Sequence, residues 1–191
     1  MRQCIFVIGT RKQVPELGPL LEQARNTGLK FSVWVTAEQP VDAALAETGV
    51  KASIVMPKRP APRSRLARLL YWAPVTAYHC YNYVHGVKMW TTKSPLVVVH
   101  GNSLSTWLAS RAGRWGGAQL VHLQHTADSA LAQHRIMKKT RFAFCDAGEV
   151  SALSSRYPGC TVVGIDVNDP ASSRTIVESL LRWTGGKSSS G

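Results

Sequence analysis

The chain has 191 residues, 45% of them hydrophobic and 18% charged, which suits one domain with a buried core and excludes a wholly disordered chain. Four cysteines, Cys4, Cys80, Cys145 and Cys160, stand far apart with no C-x-x-C pair, which argues against a disulfide framework or zinc ribbon and for a reducing compartment. Twenty-three Lys and Arg against 11 Asp and Glu give a formal charge of +12, and no carboxylate occurs between Glu47 and Asp128. Such a field attracts polyanions, whether nucleic acid, sugar-nucleotide phosphates or an anionic membrane surface; a solvated basic surface is the plain alternative. No uncharged apolar run is long enough to span a bilayer, and the first apolar run is too short for a signal peptide. A cytoplasmic protein is therefore expected.

In chain order, Cys4 to Ile8 reads as a buried strand running into Gly9-Thr10-Arg11. Pro15 opens a helical pattern through Leu17, Leu20, Leu21 and Ala24, which Asn26-Thr27-Gly28 stops. Phe31 to Val35 is a second strand, Pro40 to Glu47 a short helix and Ala52 to Met56 a third strand. A Pro- and Arg-rich link leads into helix from Ser64 to about Trp90, interrupted near Pro74 and Gly86. Pro95 to Val99 is a continuous apolar run, as a parallel strand covered on both faces requires, and ends in His100-Gly101-Asn102-Ser103. A helix over 104–115, a strand over Gln119 to Leu123, loop and helix over 125–139 and a strand over Phe142 to Cys145 follow. The chain closes with a helix from Glu149 to Arg156, a strand from Thr161 to Ile165 and a helix started by Asp169-Pro170 that reaches Trp183. Residues 1–184 thus read as one α/β Rossmann-like domain with a doubly wound parallel sheet of six or seven strands and helices on both faces, and 185–191 as a flexible Gly/Ser tail.

Ligands of such sheets bind beyond the carboxyl ends of the strands, which points to Gly9-Thr10-Arg11, His100-Gly101-Asn102-Ser103 and Leu123-Gln124-His125-Thr126. Gly9, Thr10 and Arg11 suit a phosphate cradle, a glycine for close approach ahead of a helix N-terminus and a fork donor; a tight turn with a surface arginine is the alternative. His100, His122, His125 and His134 have no carboxylate or cysteine spaced to complete a zinc site, so neither metal nor cofactor is expected. His125 is the candidate general base, against a histidine hydrogen-bonded at a sheet edge. Arg63, Arg65, Arg68 and Trp72 form a basic, aromatic stretch that fits a membrane or partner face, single-stranded nucleic acid, or a core helix with solvated arginines.

Together these segments resemble the N-terminal half of the non-hydrolysing UDP-N-acetylglucosamine 2-epimerases and the two-domain glycosyltransferases that share their architecture. The epimerase motif G-T-R-P-E is met by Gly9-Thr10-Arg11-Lys12-Gln13, A-P-L by Gly18-Pro19-Leu20, and V-T-A-Q by Val35-Thr36-Ala37-Glu38. V-x-V-H-G-D-T is met by Val97-Val98-Val99-His100-Gly101-Asn102-Ser103, and H-V-E-A-G by His122-Leu123-Gln124-His125-Thr126. Epimerisation needs carboxylates that shuttle a proton at the sugar's C2, yet Asn102 and Gln124 stand where the motifs carry acids, and P-E-E-x-N-R is reduced to Gln133-His134-Arg135. The resemblance implies a phosphate- or ligand-binding set of Gly9, Thr10, Arg11, His100, Asn102, Ser103, Gln124 and Arg135, and no epimerase activity for the chain alone. It implies a nucleotide-sugar or glycan-biosynthesis protein completed by a second Rossmann-like subunit, with a nucleotide sugar or lipid-linked sugar as ligand and the inner membrane face as a peripheral location. If active, it is a sugar-nucleotide-dependent transferase working with that partner. The alternatives are a non-catalytic epimerase-like binding module for phosphate or protein, and a nucleic-acid-binding protein.

Overall fold

Successive side chains of a strand point to opposite faces of the sheet, so an unbroken apolar strand fills two cores at once. The computed structural model describes residues 3–36, 41–56, 64, 96–100, 119–124, 130, 137–166 and 168–185. These contain β1 (Cys4–Ile8), α1 (Gln13–Asn26), β2 (Phe31–Thr36), α2 (Val41–Glu47), β3 (Ile54–Met56), β4 (Leu96–His100), β5 (Gln119–Leu123), β6 (Thr140–Asp146), α3 (Val150–Arg156), β7 (Thr161–Ile165) and α4 (Ser172–Thr184). The strands form one parallel sheet in the order β3-β2-β1-β4-β5-β6-β7. The helices expected over 64–90 and 104–115, apart from Ser64, lie outside the described residues, as does most of 125–139.

The alternation is visible in β1 and β4. Cys4, Phe6 and Ile8 join Leu96 and Val98 in the larger core beneath α1, α2 and α4, while Ile5 and Val7 join Val97, Val99 and Trp34 on the opposite face. A third cluster, with Met137, Cys145, Leu153, Tyr157 and Cys160, packs α3 against β6 and β7. α1 ends in a left-handed Gly28 (φ 72), with Gly28 N–H donating to Arg25 O and Leu29 N–H to Ala24 O, so buried Leu29 turns the chain straight into β2.

α4 crosses back over the sheet and packs against α1, with Ile176, Val177, Leu180 and Leu181 buried in the main core. Its half-buried Trp183 stacks on Phe142 with centroids 4.1 Å apart and leans on Phe144 at 5.2 Å.

Two helix starts differ from expectation. α1 begins at Gln13, two residues before Pro15, because Gln13 and Val14 N–H close tight turns onto Thr10 and Arg11 carbonyls. α4 begins at Ser172; Asp169 caps the preceding turn by accepting from Ala171 N–H at 2.8 Å, and Ser172 and Ser173 N–H bond to Asp169 and Pro170 carbonyls before the regular helix sets in.

Burial pushes the Cys4 and Cys145 thiols up to about 12 and that of Cys160 to about 11, from 9.0; the Glu149 and Asp146 carboxylates add to the effect at Cys145. A thiol held protonated in the fold stabilises it fully below its unfolded pKa, and that contribution is lost as pH rises from 9.0 toward the folded value. Each such thiol should lower stability by about 1.4 kcal/mol per pH unit in that window. Urea unfolding of wild type and Cys4→Ala between pH 8 and 10.5 should show a shallower alkaline decline in the variant; equal slopes would contradict the assignment.

Candidate functional site

The strand order reverses between β1 and β4, which is where a doubly wound sheet opens a crevice beyond its carboxyl ends. Here Gln13 fills that crevice. Its buried amide accepts from Gly9 N–H at 2.7 Å and Thr10 N–H at 3.0 Å through Oε1, while Nε2 donates to the His100 carbonyl. One side chain therefore ties the β1–α1 turn to the end of β4, and only an amide carries both the acceptor and the donor needed.

This arrangement decides how the Gly9-Thr10-Arg11 turn is used. The Gly9 and Thr10 amides expected to face a phosphate already donate within the chain, and those of Gln13 and Val14 do the same. Pro15 has no N–H to give, and Arg11 is exposed. Arg11 is thus left as the charged donor of the turn.

Open space beside the switch point lies one strand further along. A cavity of about 230 Å³ sits beyond β4 and β5, roofed by α1, the loop after β7 and the start of α4. His100 and Gln124 form its floor, Glu16 stands on the α1 side, and Asp166, Asn168 and Asp169 come from the loop. Glu16 Oε2 lies 3.2 Å from His100 Nε2, an ion pair whenever the imidazole is protonated. Gln124 N–H donates to Phe144 O at 3.0 Å, and its side-chain Oε1 accepts from Asp146 N–H at 2.8 Å. The Gln124 amide thereby stitches the end of β5 to the end of β6.

Of the candidate residues, the structure brings His100 and Gln124 into one cavity and sets Gly9 and Thr10 beside it through Gln13. Asn102, Ser103, His125, Arg135, Arg63, Arg65, Arg68 and Trp72 lie outside the described residues. Among the described residues, no group of three or more His, Cys, Asp or Glu side chains could hold a metal ion. Sequence reasoning missed Gln13, Glu16 and the Asp166–Asp169 loop. The signals were present: Gln13 stands where the G-T-R-P-E motif has its acid, Glu16 is the acid of the first turn of α1, and Asp166 immediately follows a strand.

No protein-family model and no curated protein matches the sequence. Solved structures do match. UDP-GlcNAc 2-epimerase from Neisseria meningitidis, bound to UDP-GlcNAc, aligns with TM-score 0.65 and 17% identity over 96% of this chain and 51% of its own. S. aureus MnaA in a UDP co-structure aligns with TM-score 0.62 and 16% identity over 99% of this chain and 49% of its own. Acinetobacter baumannii MurG aligns with TM-score 0.53 and 10% identity over 90% of this chain and 70% of its own.

The fold is one that the UDP-GlcNAc 2-epimerase and MurG structures also contain.

At these identities the fold is what is shared. This chain spans about half the length of the epimerase structures it matches, 45%, 51% and 49% of three of them. Within that fold, His100 ends β4 and Gln124 follows β5, so the segments that resemble the epimerase motifs H-G-D-T and H-V-E-A-G reach the cavity floor through His100 and through Leu123 and Gln124. Among the described residues, no helix is long and apolar enough to cross a membrane.

Proposed function

We propose that this chain is the acceptor-side half of a nucleotide-sugar or glycan-biosynthesis enzyme, completed by a separate Rossmann-like subunit that supplies most contacts to the nucleotide. The observation that carries this reading is the chemistry of the cavity beyond β4 and β5. Its described lining offers carboxylates, amides, hydroxyls and His100, a set that suits hydroxyl groups.

Arg11 alone is a thin basis for diphosphate binding, since one charge-assisted hydrogen bond contributes about 1.5–3 kcal/mol. Calorimetry on the isolated chain should find UDP and UDP-N-acetylglucosamine bound in the millimolar range or not at all. Micromolar affinity for UDP would show that one domain suffices and would remove the need for a partner.

A second reading, a non-catalytic binding module, is favoured by the amides of Gln13 and Gln124. Both are committed to backbone N–H groups, so they hold the frame of the site where the related motifs carry acids. The basic stretch with Arg63, Arg65, Arg68 and Trp72 is the proposed contact with an anionic membrane. Binding to anionic liposomes should weaken with salt and be lost on changing the three arginines to Glu; salt-independent binding would contradict that contact.

A further inference from the structure

A parallel sheet sets the amino ends of all its strands at one end of the molecule, and here that end gathers cations. In the sequence a Lys or Arg stands within five residues ahead of every strand: Arg2, Lys30, Lys51, Lys93, Arg114, Lys138 and Arg156 lead β1 to β7 in turn. None of these leading intervals holds an Asp or Glu. Lys30, Lys51, Lys138 and Arg156 are described and exposed. Exposed Arg25, in the last turn of α1, joins them with Nη1 against Gly49 in the lead of β3. Exposed Arg141 donates from Nη1 to Gly159 O at 3.0 Å, in the lead of β7.

The carboxylates belong elsewhere in the chain. Among the described residues only Glu47, the last residue of α2, comes to this end. Asp146, Glu149, Asp166 and Asp169 lie at or just after the carboxyl ends of β6 and β7, and Glu16 in the first turn of α1. Glu22 and Glu178 stand within α1 and α4, while Glu38, Asp42 and Asp128 follow the carboxyl ends of β2 and β5 in the chain within six residues. A cation in the last turn of a helix also complements the helix dipole, which accounts for Arg25 and Arg156. Lys30 and Lys51 lie four residues past the ends of α1 and α2, beyond the turn over which that effect acts. Neighbouring strands stand about 4.8 Å apart, well inside a Debye length of about 10 Å at 0.1 M salt, so the fields of adjacent leads add. Because α1 and α2 end there on one face of the sheet and α3 on the other, the cations cover an area rather than a line.

We infer that this amino-end face docks on an anionic lipid bilayer, which leaves the cavity beyond β4 and β5, at the opposite end of the sheet, open to the aqueous phase. A bilayer spreads its charge over a plane and meets such a face with all its cations at once; a nucleic-acid strand carries charge along a line and engages only a row of them. Each Lys or Arg held near an anionic surface raises partitioning by about fivefold, and the effect fades within a Debye length. The residues differ from Arg63, Arg65 and Arg68, and the inference stands apart from the half-enzyme reading.

Flotation of the full chain with vesicles of phosphatidylcholine, alone or mixed with phosphatidylglycerol, tests this with two variants of equal net charge. One changes Lys30, Lys51 and Lys138 to Glu at the amino-end face; the other changes Arg11, Lys12 and Arg174 to Glu at the carboxyl ends of the strands. All six side chains are exposed, and circular dichroism checks that both variants fold. The first variant should partition onto the mixed vesicles at least about tenfold more weakly than the second, with no binding to phosphatidylcholine alone. If the triple change does not fold, Lys51→Glu by itself should still weaken binding several-fold. Equal losses in the two variants would reduce the effect to net charge and overturn the assignment. So would wild-type protein that does not bind the mixed vesicles, or binding lost on changing Arg63, Arg65 and Arg68 but untouched by the lysine set. A lysine set that leaves vesicle binding intact while abolishing binding of a single-stranded oligonucleotide would give the face to nucleic acid instead. None of these outcomes alters the affinity of the chain for UDP, so the proposed function stands or falls separately.

Discussion

Incubated with UDP-N-acetylglucosamine in deuterated water, the isolated chain is expected to leave the sugar's C2 proton unexchanged. Removing a proton from carbon needs a base held at that carbon, and positioned acid–base groups contribute about 10²–10⁴-fold each to such steps. Gln124 stands where the related motif carries an acid, and its Oε1 is already bound to Asp146 N–H at 2.8 Å. An amide in that position holds shape and hydrogen bonds but takes up no proton. Glu16 and His100, 3.2 Å apart, are the acid–base pair among the described lining residues. Steady incorporation of deuterium at C2 would overturn the expectation and would direct attention to that pair, with Glu16→Gln as the deciding variant.

The second large effect concerns Gln13. Replacing it with Ala removes the acceptor shared by Gly9 and Thr10 N–H and the donor to the His100 carbonyl, all in a closed crevice. A buried polar group left without a partner costs about 1–3 kcal/mol, so the loss should reach about 2–5 kcal/mol. For a chain of this size each kcal/mol moves the melting temperature by about 2–4 °C. A fall of roughly 5–15 °C is therefore expected in calorimetry. Gln13→Glu keeps an acceptor for both amides but sets a carboxylate oxygen against the His100 carbonyl in a buried site, so it should fall as well. A Gln13→Ala protein melting within about 2 °C of wild type would show that the bracket contributes little.

Most of the described frame was legible in the residues themselves. The runs Cys4–Ile8, Gln119–Leu123 and Thr161–Ile165 appear as strands with the expected ends. For Cys4–Ile8 the reason is that an unbroken apolar run between turn residues has few other ways to bury both its faces, whereas β7 lies at the sheet edge with only Ile165 buried. Gly28 stops α1 where expected, since a left-handed turn there suits glycine. Helix starts were less legible. The first turns of α1 and α4 are set by tight backbone turns around Thr10 and Asp169, whose partners lie at i+3 and carry no hydrophobic period.

What the sequence by itself determined is the alternation of strand and helix, the parallel sheet, the basic charge and the replacement of acids by amides at motif positions. These are properties of local spacing and of residue type. Only the tertiary structure decided what those residues do. Gln13 and His100 are 87 positions apart, and their contact exists because the sheet sets β1 beside β4. That contact commits the Gly9 and Thr10 amides within the chain, beside the cavity that lies beyond β4 and β5. The packing of α4 on α1 then brings Asp166 and Asp169 into the same described cavity lining as Glu16, in a chain of formal charge +12. A net charge is a sum over the chain, whereas the field in a cavity is set by the few charges that folding brings within a Debye length of it.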